Sequence, residues 1–142
     1  MIEHQLEAVI KNSLRPAASN TEAEILFSDK GLMGSFSEKI WGAYFMRLIG
    51  PKTRLDLDII RKMRNECAHN MNPISFEIDP IASWLRELRP AVDIDDQDRT
   101  LLKADPRHSF ALICHGLIEG LMLRSAGHET LNTATTVKHI LD

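Results

Sequence analysis

One short segment holds the side chains best suited to chemistry. From position 61 to position 69 it reads Arg-Lys-Met-Arg-Asn-Glu-Cys-Ala-His. Arg61, Asn65 and His69 are four residues apart, which places them on one face of a helix. A guanidinium, an amide and an imidazole on one face can bind a phosphate or a carboxylate together. With the second nearby cation included, the candidate binding residues are Arg61, Arg64, Asn65 and His69.

The same segment also has a structural interpretation. His69 lies where the helix is expected to end, and the last carbonyl groups of a helix need donors. A cation at that end is also favoured by the helix dipole. In this interpretation Asn65 and His69 bond the loop that follows, and Arg64 is partly buried against a neighbouring helix. Spacing alone favours this interpretation over a binding role.

Other chemical candidates are weaker. His108, Cys114 and His115 lack the four-residue spacing of a helical zinc site, so no metal is expected. The segment from Gly31 to Gly34 precedes a helix and is either an anion cradle or a tight turn, and the missing lysine favours the turn. The acidic run 93–98 lacks the glycine and the distal glutamate of a calcium loop. No cofactor is predicted.

Cysteines and tryptophans fit a structural role. Cys67 and Cys114 lie within apolar helical patterns and are predicted to be reduced, buried thiols. Trp41 and Trp84 lie on apolar stripes and are predicted to belong to the core rather than to a ligand platform.

Size and charge restrict the function classes. The 142 residues suit one domain spanning 1–142, with 44% hydrophobic and 26% charged residues. A net charge of −3 and the lack of a basic recognition helix argue against direct sequence-specific DNA binding. No run reaches the ~18 apolar residues that cross a membrane, and no secretory signal is evident. We therefore expect a cytoplasmic protein without a membrane partner.

Apolar spacing near 3.6 residues predicts helices throughout and no convincing strand. The predicted helices cover about 2–14, 21–27, 36–49, 54–69, 80–89, 107–125 and 129–141. The expected fold is an all-α, single-domain compact bundle of about six to seven helices.

Start signals and buried faces position these helices. Ser35 and Glu38 form a capping box, Thr53 is a predicted cap, and Asp79-Pro80 and Asp105-Pro106 each place an aspartate before a proline. The predicted buried face of the helix that carries the candidate site consists of Leu55, Ile59, Ile60, Met63 and Cys67.

Charge is distributed unevenly along the chain. Residues 47–66 hold six cationic and three acidic side chains, a local balance of +3. Residues 79–98 hold two cationic and six acidic side chains, a balance of −4. Such asymmetry can steer an acidic partner toward the positive segment or bring two copies of the chain together head to tail. Alternatively, both charged segments are simply solvent-exposed faces.

Several segments together resemble the mannitol operon repressor (MtlR) family. They are Gly31-Leu32-Met33-Gly34-Ser35-Phe36-Ser37, Tyr44, Leu48-Ile49, Ile60 through His69, Ser75-Phe76, and Arg107 with Phe110. The resemblance covers roughly residues 5 to 125. It implies a small, all-helical bacterial protein that represses mannitol uptake genes. Leu32 and Cys67 depart from the proline and the aromatic residue usual in that family, so the fold transfers more safely than the mannitol role.

The same helix end is similar to the wider HEPN group, whose ribonucleases carry Arg, four to six residues, then His. Arg64 and His69 match that spacing. The similarity implies metal-independent RNA cleavage, with His69 as acid and base, Arg64 stabilising phosphate charge and Asn65 orienting the ribose. Met71 stands where that group often has a tyrosine, and many HEPN-like proteins are not nucleases.

Two functions are therefore expected. The first is a non-enzymatic regulatory protein of the mannitol-repressor type, a transcriptional co-repressor acting through protein contacts, with a partner supplying any DNA contact. The alternative is a HEPN-like ribonuclease or RNA-binding protein, such as one member of a toxin–antitoxin pair. Both interpretations accommodate a homodimer.

Overall fold

The start signals and apolar stripes of the sequence correspond to α-helices in the structure. The structure, a computed structural model, describes residues 1–14, 20–69, 75–89 and 105–126. Its helices are α1 (Ile2–Ser13), α2 (Asn20–Phe27), α3 (Phe36–Phe45), α4 (Pro51–His69), α5 (Ile81–Glu87) and α6 (Pro106–Ser125). About three quarters of the described residues are helical and none is in a strand. The predicted all-α bundle is thus confirmed.

Two of the predicted helix starts have the expected cap geometry. The Glu38 N–H donates to Ser35 Oγ at 3.2 Å, and the Ser35 N–H donates to Glu38 Oε2 at 2.8 Å, so the capping box is complete. Asp105 Oδ1 accepts from the N–H groups of Arg107 and His108 at 2.9 and 3.2 Å. These side chains satisfy amides that the first turn leaves without a helical partner.

Two other predicted boundaries are wrong. Thr53 does not cap α4, because that helix begins at Pro51 and Thr53 is only 2% exposed. Proline suits a first helical position because the missing N–H is not needed there. α3 ends at Phe45 rather than near Gly50, although Leu48 and Ile49 are buried beyond its end.

The helices pack in a closed order around one core. α1 contacts α3 and α6, α3 contacts α4, α4 contacts α5, and α5 contacts α6. Leu6 on α1, Leu57 on α4 and Leu121 on α6 are each fully buried. Leu117 on α6 is 2% exposed.

The buried face of α4 is rotated from the predicted one. Leu55 is 44% exposed, and Leu57 takes its place in the core. Cys67 is exposed, so its assignment as a buried thiol is wrong. The buried positions of α4 end at Met63, and the last two turns carry mainly exposed side chains. An apolar pattern alone does not reveal where the neighbouring helices stop covering a long helix.

Some predictions lie outside the described residues. These are the acidic run 93–98, the helix predicted at 129–141 and the loop 70–74 after the candidate site. Within the described part of the chain, no helix has the length and apolarity needed to cross a membrane.

Candidate functional site

α4 positions the four candidate residues on its last three turns. The helix is continuous from Pro51 to His69, so Arg61, Asn65 and His69 keep their four-residue spacing along one face. Asn65 and His69 are both exposed, and Arg61 is partly buried. Asn65 and His69 are therefore not packed inside the bundle. The loop 70–74, which the structural interpretation expects them to bond, lies outside the described residues.

Arg64 is directed toward α1 rather than toward His69. Its Nη1 donates to Glu3 Oε2 at 2.8 Å, while 64% of its side chain stays exposed. On an ideal helix, residues five apart differ by roughly 7.5 Å in rise and 140° in azimuth. Because α4 is helical through His69, Arg64 and His69 do not converge on one ligand within a single chain.

Glu3 belongs to a small network of charges between α1 and α3. Lys39 Nζ contacts Glu3 Oε1 at 3.1 Å and Glu7 Oε2 at 3.0 Å, and its side chain is only 7% exposed. Burial raises the pKa of Glu3, but hydrogen bonds from Lys39 and Arg64 outweigh it, so the pKa lies below its ordinary value. Arg64 therefore already has an anionic partner.

Arg61 is also paired with a carboxylate. Its Nε and Nη2 donate to Asp58 Oδ1 at 2.9 and 2.8 Å, and Lys62 Nζ lies 3.3 Å from Asp58 Oδ2. Burial raises the pKa of Asp58, but these hydrogen bonds outweigh it, so the pKa lies below its ordinary value. The shared carboxylate reduces the positive charge that α4 offers an anion.

A cleft of about 390 Å³ lies beside the Glu3–Arg64 pair. Its apolar side includes Phe36, Ile60 and Ile118, and Cys114 also lines it. Burial raises the pKa of the Cys114 thiol to about 11, so this thiol is protonated at neutral pH. The cleft can accept an apolar group, but its cysteine is no nucleophile.

The glycine turn before α3 is not an open anion cradle. The Gly31 N–H donates to the Ser28 carbonyl at 2.7 Å, and the Met33 N–H donates to the Leu26 carbonyl at 3.0 Å. The Gly34 N–H donates to the Gly31 carbonyl at 3.3 Å. These amides stabilise the turn, in agreement with the tight-turn interpretation.

Segments far apart in sequence meet at a second cleft. The rings of Phe76 and Phe110 are 5.3 Å apart between centroids. An adjoining space of about 490 Å³ is lined by polar and charged side chains that include Ser75, Glu77 and Arg107. Residues 75–77 thus pack beside the start of α6.

An exposed group of aromatic rings was missed by the sequence analysis. Trp41 and Phe45 are 44% and 74% exposed, so the prediction that Trp41 belongs to the core is wrong. Their rings stack at 5.5 Å between centroids, and the Arg54 guanidinium lies 4.7 Å from the Trp41 centroid and 5.6 Å from that of Tyr44. We call Trp41, Tyr44, Phe45 and Arg54 the aromatic surface. The four-residue spacing of Trp41 and Phe45, beside the buried stripe of α3, was its only signal.

No group of three histidine, cysteine or acidic side chains suited to a metal ion occurs among the described residues. Comparison of the chain with models of protein families, with curated proteins and with solved structures gave no match.

Proposed function

We propose that this chain is a non-enzymatic regulatory protein of the mannitol-repressor type, a transcriptional co-repressor that acts through contact with a protein partner. The observation that carries the proposal is the aromatic surface, where two large rings are exposed to solvent beside an arginine. Tryptophan, tyrosine and arginine are the residue types enriched at the energetic centres of protein interfaces. A partner supplies the contact with DNA, because this chain has a net charge of −3.

The geometry of α4 also supports a role without catalysis. Arg64 and Arg61 are each bound to a carboxylate, and Arg64 and His69 are directed to different sides of one helix. A phosphate would have to displace Glu3 or Asp58 from these guanidinium groups. The candidate residues are therefore better suited to holding α1 against α4 and to surface contact than to cleavage.

The proposal is tested by gene deletion and by footprinting. In the host that carries this chain, deletion should raise transcripts of a sugar-uptake operon, and a wild-type copy should restore repression. The purified chain should give no footprint on the same promoter near physiological salt, while a host extract that contains the chain should give one. A footprint by the purified chain alone, or no transcript change on deletion, would contradict the proposal.

A HEPN-like ribonuclease is the second candidate. It is favoured by the exposure of Arg64, Asn65 and His69 on the last two turns of α4. Since Arg64 and His69 do not converge in one chain, this function requires a homodimer in which a second copy completes the site. Cleavage assays that test this candidate are described below.

A further inference from the structure

We propose that the aromatic surface is the docking site for an acidic, amphipathic segment of the partner protein. The inference rests on the proposed function, because it names the chemistry of the partner that the regulatory protein contacts. Three observations indicate the chemistry of the segment that binds there. They are the exposed rings, the cations in the same stretch of chain and the backbone of the turn that joins α3 to α4.

The rings provide an apolar anchor of defined geometry. Trp41 and Phe45 lie one turn apart on α3, and their rings stack with an interplanar angle of 24°. Tyr44 packs against both, at 6.1 Å from Trp41 and 5.8 Å from Phe45 between centroids. Phe45, at 74% exposed, is the most solvent-accessible of these side chains. Other exposed apolar residues such as Ile78 and Met122 stand on other helices or turns, whereas these three rings form one contiguous group.

The stretch of chain that carries the rings and Arg54 has a positive balance. Between Lys39 and Leu55 the sequence contains no aspartate or glutamate. Arg47, Lys52 and Arg54 lie within this stretch, and none of them forms an ion pair with an acidic side chain of the described residues. Lys39 is the exception, because Glu3 and Glu7 neutralise it. An arginine against an apolar anchor, in a stretch that carries two more cations and no acidic residue, selects for carboxylates that alternate with apolar side chains.

One of these cations, Arg47, lies in the turn between α3 and α4 and has an unusual backbone conformation. Arg47 has a φ of 57°, in the left-handed region that favours glycine or asparagine. Arg47 is exposed and follows Phe45 by two residues, so it adds a cation to the segment that carries the rings.

A protein segment fits this surface better than a nucleic acid or a second copy of the chain. Single-stranded nucleic acid also stacks on aromatic rings, but it needs a track of cations for its phosphates. The next cations along α4, Arg61 and Lys62, share the carboxylate of Asp58. A symmetric dimer through this surface would bring two copies of the same cationic patch, with Arg54 at its centre, against each other.

Titration of the 142-residue chain with designed peptides tests the inference. The probe is a 15-residue helical peptide with leucine at every third or fourth position and glutamate elsewhere, and the matched peptide has glutamine in place of glutamate. Binding is followed by nitrogen-15 NMR, in which the Trp41 and Trp84 indole signals report separately. The acidic peptide should shift the Trp41 signal and leave the Trp84 signal in place, and it should bind at least about tenfold more tightly than the glutamine peptide.

Two pairs of variants localise the binding. Phe45→Ala and Arg54→Ala should each weaken the acidic peptide by about tenfold or more, as expected for central anchors. Met122→Ala removes an exposed apolar side chain on α6, and Lys62→Ala removes a cation further along α4. Both should change the affinity by less than about twofold. Thermal melts of all four variants verify that each is folded.

Several outcomes overturn the inference. They are equal binding of the glutamine peptide, tighter binding of oligouridylate than of the acidic peptide at about 0.15 M salt, and unchanged binding by Phe45→Ala and Arg54→Ala. A wild-type dimer in sedimentation that Phe45→Ala dissociates would assign the surface to a second copy instead.

The cellular test separates this inference from the proposed function. If the wild-type chain represses transcription and Phe45→Ala and Arg54→Ala repress equally well, the docking surface is wrong and the proposed function stands. If deletion changes no transcript, the proposed function fails, and the peptide titration still decides whether the surface binds acidic segments.

Discussion

Arg64 and Glu3 lie 61 positions apart in the sequence, and the Arg64 guanidinium donates to the Glu3 carboxylate at 2.8 Å. This contact joins the first turn of α1 to the C-terminal half of α4. Because Glu3 also accepts from Lys39, the pair connects α4 to α3 through one carboxylate. An arginine that sequence spacing associates with His69 is thus held by a different helix.

The first prediction concerns RNA. The wild-type chain should not cleave a mixed-sequence single-stranded RNA, with or without EDTA, because Arg64 and His69 are directed apart on a continuous helix. His69→Ala should change the free energy of unfolding by less than about 0.5 kcal/mol, since the side chain is exposed. Arg64→Ala should lower it by about 0–1 kcal/mol, since 64% of the side chain is exposed.

The measurements are gel-based cleavage assays and urea melts of the wild type and both variants. Cleavage by the wild type that disappears in both variants, at unchanged melting midpoints, would favour the HEPN-like enzyme over the regulatory protein.

The second prediction concerns Lys39, whose side chain is 7% exposed between Glu3 and Glu7. Lys39→Met should lower the free energy of unfolding at pH 7 by about 1–3 kcal/mol, because two carboxylates lose a charged hydrogen-bond donor. Lys62→Met removes a more exposed lysine, 47% of whose side chain is accessible, and should cost about 0–1 kcal/mol.

The effect of Lys39 should depend on pH. Burial raises the pKa values of Glu3 and Glu7, but the hydrogen bonds outweigh it and both pKa values are lowered in the folded state. The stability from these groups is therefore present above their unfolded value of 4.5 and is lost as the pH falls through the folded values. Urea melts from pH 7 to pH 3 should show the wild type and Lys39→Met converging toward acid pH. A constant difference would contradict this assignment.

The third prediction concerns the two thiols. Cys67 is exposed, whereas Cys114 is partly buried and burial raises its pKa to about 11. At pH 8 only about one thousandth of Cys114 is thiolate, and the thiolate is the reactive form. Ellman's reagent should therefore label one thiol per native chain rapidly, and Cys67→Ser should abolish that fast phase. Fast labelling that persists in Cys67→Ser but disappears in Cys114→Ser would show that the assignment is reversed.

The fourth prediction concerns the glycine turn. A Cβ atom at Gly31 would overlap the carbonyl oxygens of Ile25 and Leu26, which are backbone atoms that cannot move independently. Gly31→Ala should destabilise the chain by about 1–3 kcal/mol. At Gly42 the nearest atom is Met33 Cε at 2.7 Å, the end of a flexible side chain. Gly42→Ala should thus change stability by less than about 1 kcal/mol, since alanine also favours the helix interior. Equal losses in thermal melts would show that the turn is more adaptable than its geometry indicates.

The sequence by itself determined the local structure of this protein. Ser35 with Glu38 and Asp105 with Pro106 set the starts of α3 and α6, because capping is made by residues within one turn of each other. Apolar spacing likewise placed Ile59, Ile60 and Met63 in the core, since a helix face follows from 3.6 residues per turn. The four-residue spacing of Arg61, Asn65 and His69 was determined in the same way.

Only the tertiary structure decided what these faces contact. Leu55 and Cys67 fit an apolar pattern on α4 but are exposed, because burial depends on which helices pack beside each turn. The partner of Arg64 comes from α1, and no local spacing identifies Glu3 among the acidic residues of the chain. Trp41 and Phe45 are likewise exposed because, within the described part of the chain, the packing of α1 and α4 on α3 leaves these two rings accessible. Contacts between residues far apart in sequence depend on the packing of whole helices, so local patterns do not determine them.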